Sequence, residues 1–207
     1  MTKHPSRRQP AAHADATRSR IVEAAVMAFA ERGFEAASTR EIARRAGVEQ
    51  GLLTYHFRNK DALWRAAADR VFGTLREGVI GRLSTAEKNN PKEQVREVIR
   101  TYVRTMAAHP EFFRFIVDQG HRFDERTEWL VDTHVRPAFE MMNQLWLLSA
   151  AGGDERKLPH VLFTLLGASS LIFAVPANCQ RLTGVDPRDP ETIEAHAEFV
   201  AALLIPG

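Results

Sequence analysis

Apolar residues recur at three- and four-residue spacing along most of the chain. No stretch alternates with the period of two that a half-buried strand requires. The pattern predicts an all-α chain of about nine helices. The first covers about 16–33, with Ile21, Ala25 and Phe29 on its inner face and Gly33 at its end. Ile42, Ala43 and Ala46 place an apolar stripe on a short helix that begins after Ser38, and a second short helix covers about 49–56. A longer helix starts near Lys60, runs to about Ser84 and carries Leu63, Ala67, Val71 and Leu75. Asn89-Asn90-Pro91 breaks the chain, and about 91–108 is amphipathic through Val95, Val98, Ile99, Tyr102 and Met106. His109-Pro110 is the next boundary, because a residue before proline avoids the helical region. Proline then suits the first turn of the helix that holds Phe112, Phe113, Phe115 and Ile116. Glu125 to Ala150 reads as one long helix with Pro137 as the site of a kink, ended by Gly152-Gly153. Two last helices cover about 155–180 and 190–204, with turn chemistry at 183–187 and an Asp189-Pro190 helix start.

The segment 38–63 carries the most chemistry. Ser38 with Glu41 three residues on is a capping-box spacing. Gly47 follows the last periodic residue, where a left-handed conformation ends a helix, and Val48 is the apolar plug after the turn. The following short helix has polar tips: Glu49 and Gln50 in its first turn, Thr54, Tyr55 and His56 at its end. This is a helix-turn-helix, whose second helix lies in the major groove while the first crosses the backbone. Gln50 suits a bidentate bond to adenine, and Glu49 can accept from a cytosine amino group. Gly51 lets the helix backbone approach closely, and Thr54 suits a thymine methyl or a phosphate. Ser38, Thr39, Tyr55, His56 and Lys60 suit phosphate contacts, which set register rather than sequence preference. Arg40 and Arg44 either join them or pair with Glu41 and its neighbours.

The run from Ile21 to Leu63 resembles the N-terminal domain of TetR-family transcriptional regulators. The matching features are Ile21 with Ala24-Ala25 and Phe29; Gly33-Phe34; Ser38, Arg40 and Ile42-Ala43; Ala46-Gly47-Val48; Gly51, Leu53, Tyr55 and Phe57; and Lys60 with Leu63. They cover about a quarter of the chain. Where the family commonly has an aromatic pair around 54–56, this chain has Thr54-Tyr55-His56. The resemblance implies that Lys60 opens the fourth helix and faces the DNA backbone. It implies a homodimer on a palindromic operator of double-stranded DNA, acting as a repressor and released by a small-molecule effector.

Charge agrees with a division of labour. The 207 residues carry a net charge of +2. Residues 1–65 hold 12 Lys/Arg against 7 Asp/Glu, a balance of +5, so the remainder is at −3. A basic front end suits a protein that places one end on DNA. The segment 1–14 reads as a disordered basic arm, with Lys3, Arg7 and Arg8 available to a minor groove or to phosphates. It lacks the apolar run of a signal peptide. The expected divisions are this arm, a helix-turn-helix domain at 15–60, and a helical regulatory and dimerisation domain at 61–207.

The last two helices carry more apolar surface than one edge of a small domain needs. Leu162, Leu165, Ser169, Ile172, Phe173, Ile193, Ala197, Val200 and Leu204 are the candidate helix-helix contacts. In the resembling family these helices build a four-helix dimer interface. The resemblance also implies an effector pocket among the C-terminal helices. Candidate walls are Met106, Phe113, Ile116, Met141, Met142, Leu145 and Phe163, since Met and aromatic side chains make adaptable apolar surfaces.

Other classes have less support. His109, Asp118, His121 and His134 match no zinc spacing, and a lone cysteine, Cys179, forms no internal disulfide and fits a reducing cytoplasm. There is no P-loop or dinucleotide fingerprint, so no cofactor and no enzyme activity are expected. Val161 to Val175 is apolar but shorter than the roughly 20 residues that span a bilayer. The rival to a regulator is a helical ligand-binding or interaction protein without specific DNA binding; an enzyme ranks below it.

Overall fold

The computed structural model describes residues 8–83, 90–148 and 155–206; the side chains of 8–13, 79–83, 145–148 and 155 lie outside that description. The described residues are all-helical and divide into two compact units, residues 1–71 and 72–207. The boundary therefore falls some ten residues beyond Lys60, inside the fourth helix.

In the first unit, α1 spans Arg8–Ala36, α2 Thr39–Ala46, α3 Gln50–His56, and α4 starts at Lys60 and runs to Leu83. α1 begins within the segment expected to be a disordered arm, so 8–14 are helical, while Lys3 and Arg7 lie outside the described residues. Gly33 interrupts α1 with φ 71°, a left-handed value that only glycine adopts freely. Ile21, Ala25, Phe29, Ile42, Leu63, Trp64 and Val71 form the buried centre. Phe34 stacks on Phe29 and meets Trp64 edge-on.

The turn after α2 is a Schellman arrangement. Gly47 sits at φ 64°, ψ 41°, and the Val48 amide donates to the Ala43 carbonyl at 3.0 Å. The expected capping box does not form. Ser38 has extended backbone and occupies the cap position, but its hydroxyl accepts no capping bond. Glu41 is drawn away by Arg32 at 3.1 Å and Arg45 at 3.1 Å, so charge pairing outcompetes a reach back to a neutral amide. Arg45 also reaches Glu31 at 2.9 Å, tying α2 to α1. Hydrogen bonding to Glu31 holds the guanidinium pKa above its ordinary value.

The second unit holds the rest of α4 with α5 (Pro91–Ala108), α6 (Pro110–Gly120), α7 (Glu125–Leu130), α8 (Arg136–Leu148), α9 (Leu158–Ala174), α10 (Pro176–Thr183) and α11 (Pro190–Leu204). Asn90 caps α5 by accepting from the Glu93 amide at 3.2 Å, with Pro91 at the first helical position. Asp189 caps α11 by backbone alone.

One expected helix is distorted and another is broken, each next to a proline. The stretch expected as one helix from Glu125 contains a π-helical segment, Val131–Val135, between α7 and α8. It lies immediately before Arg136-Pro137, where proline has no amide hydrogen to continue the regular ladder. His134 in this segment stacks on Phe72 at 4.9 Å and meets Trp129 edge-on. The stretch 155–180 splits at Val175, whose φ −126°, ψ 55° is the non-helical conformation a following proline enforces. α9 and α10 meet there at 78°. Gly152-Gly153 lies outside the described residues. No single helix among the described residues is long and apolar enough to cross a membrane.

α11 is laced to α5 by charge. Arg104 donates to Glu194 at 2.8 and 2.7 Å, Arg100 to Glu198 at 3.1 Å, and Arg96 places two donors on the Ile205 carbonyl at 3.0 and 2.8 Å. Arg96, Arg100 and Arg104 recur every four residues, so they line one side of α5. Beneath them Val98, Ile99, Val103, Ala197, Val200 and Ile205 are buried.

Candidate nucleic-acid interface

α3 buries Leu53 within the first unit, leaves Gln50, Gly51, Leu52, Thr54 and Tyr55 exposed, and half-buries His56. A helix turns about 100° per residue, so Gly51 and Tyr55 point opposite to Leu53. Gln50 and Thr54 lie on one flank, Leu52 and His56 on the other. Tyr55 is 82% exposed with its ring edge-on to His56.

The polar flank faces the start of α2. Gln50 donates its side-chain amide to the Thr39 hydroxyl at 3.2 Å, and the Thr54 hydroxyl donates to the Gln50 carbonyl at 3.1 Å. An open groove runs beside them, lined by Ser38, Thr39, Thr54, Arg58, Asn59 and Lys60 among others. The groove thus gathers Ser38, Thr39, Thr54 and Lys60, four of the predicted contact residues. Glu49 caps α3 by backbone only and is exposed. Arg40, Arg44 and Arg58 are exposed and form no ion pair among the described residues. Arg45 and Glu41 are engaged with each other, so Arg45 belongs to the frame.

Lys60 has a structural engagement that sequence reading missed. Its ammonium donates to the Glu35 carbonyl at 3.0 Å and sits 4.7 Å from the Phe34 ring centre. It closes the end of α1 as well as opening α4. Asn59 caps α4 by accepting from the Ala62 amide at 2.8 Å, and Arg18 lies 5.1 Å from the Phe57 ring. Asn before a polar helix start was the available signal for the cap; the cation–π contacts leave no trace in local sequence.

Gly51 has no role inside the chain. A Cβ there would meet nothing within 4 Å, and its φ is not positive. Glycine inside a helix costs roughly 0.5–1 kcal/mol relative to alanine. Its presence on the outermost face of a seven-residue helix fits a surface that another body approaches closely.

The second unit corrects several expectations. Leu165, Ser169, Phe173, Ala197 and Val200, expected at a subunit contact, are buried within one chain. Ile172 and Ile193 are half-buried. Leu162, Leu165 and Leu204 line an apolar crevice with Val95, Ile99 and Met142. Of the expected pocket residues whose side chains are described, only Met142 reaches this crevice, which is narrow. Met106 is fully buried, Phe113, Ile116 and Met141 are half-buried, and the Leu145 side chain lies outside the described residues. Phe163 faces outward at 70% exposure. The outward stripe of α9 is Phe163, Gly167 and Leu171, and that of α11 includes Phe199 and Leu203. His109 stacks on Phe112, and His121 contacts the Val117 carbonyl, so these histidines have separate partners.

Comparison with known proteins agrees with this geometry. Residues 21–67 match the family model for bacterial regulatory proteins of the tetR family. The HTH-type transcriptional regulator BetI of Pectobacterium carotovorum is 32% identical over 83 residues, 40% of this chain and 43% of that protein. Escherichia coli BetI is 29% identical over 82 residues, 40% of this chain and 42% of that protein. The matched part spans under half the length of these relatives. Whole-chain likeness comes from solved structures. The fatty acid degradation regulator FadR of Bacillus halodurans superposes with a TM-score of 0.70 at 18% identity, covering 91% of this chain and 98% of that one. AibR, solved with isovaleryl coenzyme A and operator DNA, gives 0.70 at 20%, covering 92% and 98%. FadR of Bacillus subtilis, solved with stearoyl-CoA, gives 0.66 at 18%, covering 91% and 98%. At these identities the likeness is one of fold. The domain that carries the α2–α3 surface, residues 21–67, is thus similar to that of bacterial regulatory proteins of the tetR family.

Proposed function

We propose that this chain is a cytoplasmic transcriptional regulator that binds double-stranded DNA through α2 and α3. The observation that carries the proposal is the outer face of α3. It combines a glycine with no internal purpose, a fully presented Tyr55, and a Gln50 amide held by Thr39. Gln50, Glu49 and Thr54 read bases; Ser38, Thr39, Arg40, Tyr55, His56 and Lys60 set the register on phosphates, Lys60 through donors left over from Glu35.

It acts as a homodimer on a palindromic operator, since one short helix covers only a few base pairs and a twofold pair reads both halves. The pairing face is the outward stripe of α9 and α11: Phe163, Leu171, Phe199 and Leu203. Gly167 lies between Phe163 and Leu171, and a Cβ there would meet nothing within 4 Å, which suits the close approach of a second helix.

The protein represses by occupying the operator, and a small apolar-tailed effector releases it by widening the crevice beside Met142. Effector and DNA must then oppose each other by equal factors. Isovaleryl-CoA and stearoyl-CoA, held by two proteins of similar fold, are the first compounds to test. A gel-shift series with a duplex selected from a random pool tests the whole reading. It should show a palindromic preference and a steep loss of affinity with salt. Salt-insensitive or sequence-blind binding sinks it, and favours a ligand-binding protein that keeps the fold.

A further inference from the structure

α3 presents one aliphatic side chain among its outward groups. Leu53 provides the inward packing at 3% exposure, while Leu52 is 40% exposed on the flank away from Gln50 and Thr54. The two flanks differ in chemistry. The Gln50–Thr54 flank is engaged in hydrogen bonds with Thr39 and its own backbone. The Leu52 flank offers no donor or acceptor from that residue. Gly51, between them, has open space where its Cβ would be. A base edge that comes close to the bare backbone at 51 therefore arrives beside the leucine.

A leucine cannot discriminate bases by hydrogen bonding, and it loses by facing a phosphate. In the major groove, base pairs offer donors, acceptors and one apolar group, the C5 methyl of thymine. We infer that Leu52 is a specificity-determining residue that packs on a thymine methyl in each half-site. The inference rests on the DNA-reading function proposed above, and it adds an apolar reader beside the polar ones.

The test uses the full chain and the duplex it selects from a random pool. Each thymine is replaced in turn by deoxyuridine, which pairs identically and lacks only the methyl. Wild-type protein should bind about fourfold more weakly when one particular thymine per half-site is replaced, the effect of exposing one buried methyl-sized group. Leu52→Ala should bind the thymine and uracil duplexes equally, with an unchanged salt slope because no phosphate contact is lost. Two results overturn the inference while leaving DNA reading intact: a wild-type scan with no sensitive thymine, or a Leu52→Ala scan with the same sensitivity as wild type. Failure to select any preferred duplex overturns both. The wild-type scan needs no variant, so a folding defect in Leu52→Ala cannot mask the answer.

Discussion

Gln50 donates its side-chain amide to the hydroxyl of Thr39, joining the first residue of α3 to the first residue of α2. A glutamine amide has two N–H donors and one carbonyl acceptor. One donor goes to Thr39, leaving a donor and the acceptor, the pair that adenine requires. Thr39 thereby restrains the Gln50 side chain that is proposed to read a base.

Gln50→Ala should relax base preference at one operator position by about 1–3 kcal/mol. Thr39→Val should give a smaller loss at the same position. Competition binding against all four bases there measures both. Unchanged preference in Gln50→Ala moves the readout to Glu49 or Thr54.

Gly51→Ala should separate stability from binding. Alanine fits the open space and favours the helix, so thermal unfolding should shift upward by the equivalent of about 0.5–1 kcal/mol. DNA affinity should fall, because the Cβ holds the helix off its partner. A variant that is more stable and binds equally well removes the argument for close approach at this position.

Tyr55 and Lys60 should also come apart. Tyr55→Ala, at an exposed position, should leave unfolding within about 0.5 kcal/mol of wild type while weakening DNA binding. Lys60→Ala removes the bond to Glu35 and the contact with Phe34, and should lower the melting temperature as well as the salt slope. If both variants keep full operator affinity, the phosphate assignments are wrong.

On the proposed pairing face, Phe199→Glu should give folded monomers where wild type sediments at twice the mass, with unchanged helical circular dichroism. Glutamate at Leu165, which is 5% exposed, should instead unfold the second unit. A Phe199→Glu protein that still sediments as a dimer would place the interface elsewhere.

Acid should weaken the second unit. The Asp124 carboxyl is held below its ordinary pKa, first by the Thr127 amide at 3.0 Å, and Glu194 is held low first by its bond from Arg104. Lowered folded-state pKa values favour the ionised form in the folded protein. Their contribution is present above the ordinary carboxylate pKa, about 4, and is lost as pH falls through the depressed values. Melting temperature should be flat above about pH 5 and fall below about 4, and Asp124→Asn should make that fall shallower. An identical acid limb in the variant excludes Asp124 as a contributor.

The chain's own order of residues determined the helical class, the helix-turn-helix, the Gly47 turn and the outward polar tips of α3. Each depends on contacts within a few residues, where helical periodicity and turn stereochemistry act directly. Tertiary structure decided the rest. Glu41 chose Arg32 of α1 and Arg45, one turn along its own helix, over the Ser38 cap, and only the packing of α1 against α2 brought Arg32 within reach. Lys60 found a partner 25 positions away. α9 and α11 are apolar on more than one stripe, so periodicity could not say which stripe meets the chain's own core. Packing turned Leu165, Ser169 and Phe173 inward and left Phe163 and Leu171 outside. A hydrophobic pattern marks which positions avoid water, but only the arrangement of neighbouring helices decides which of them are covered.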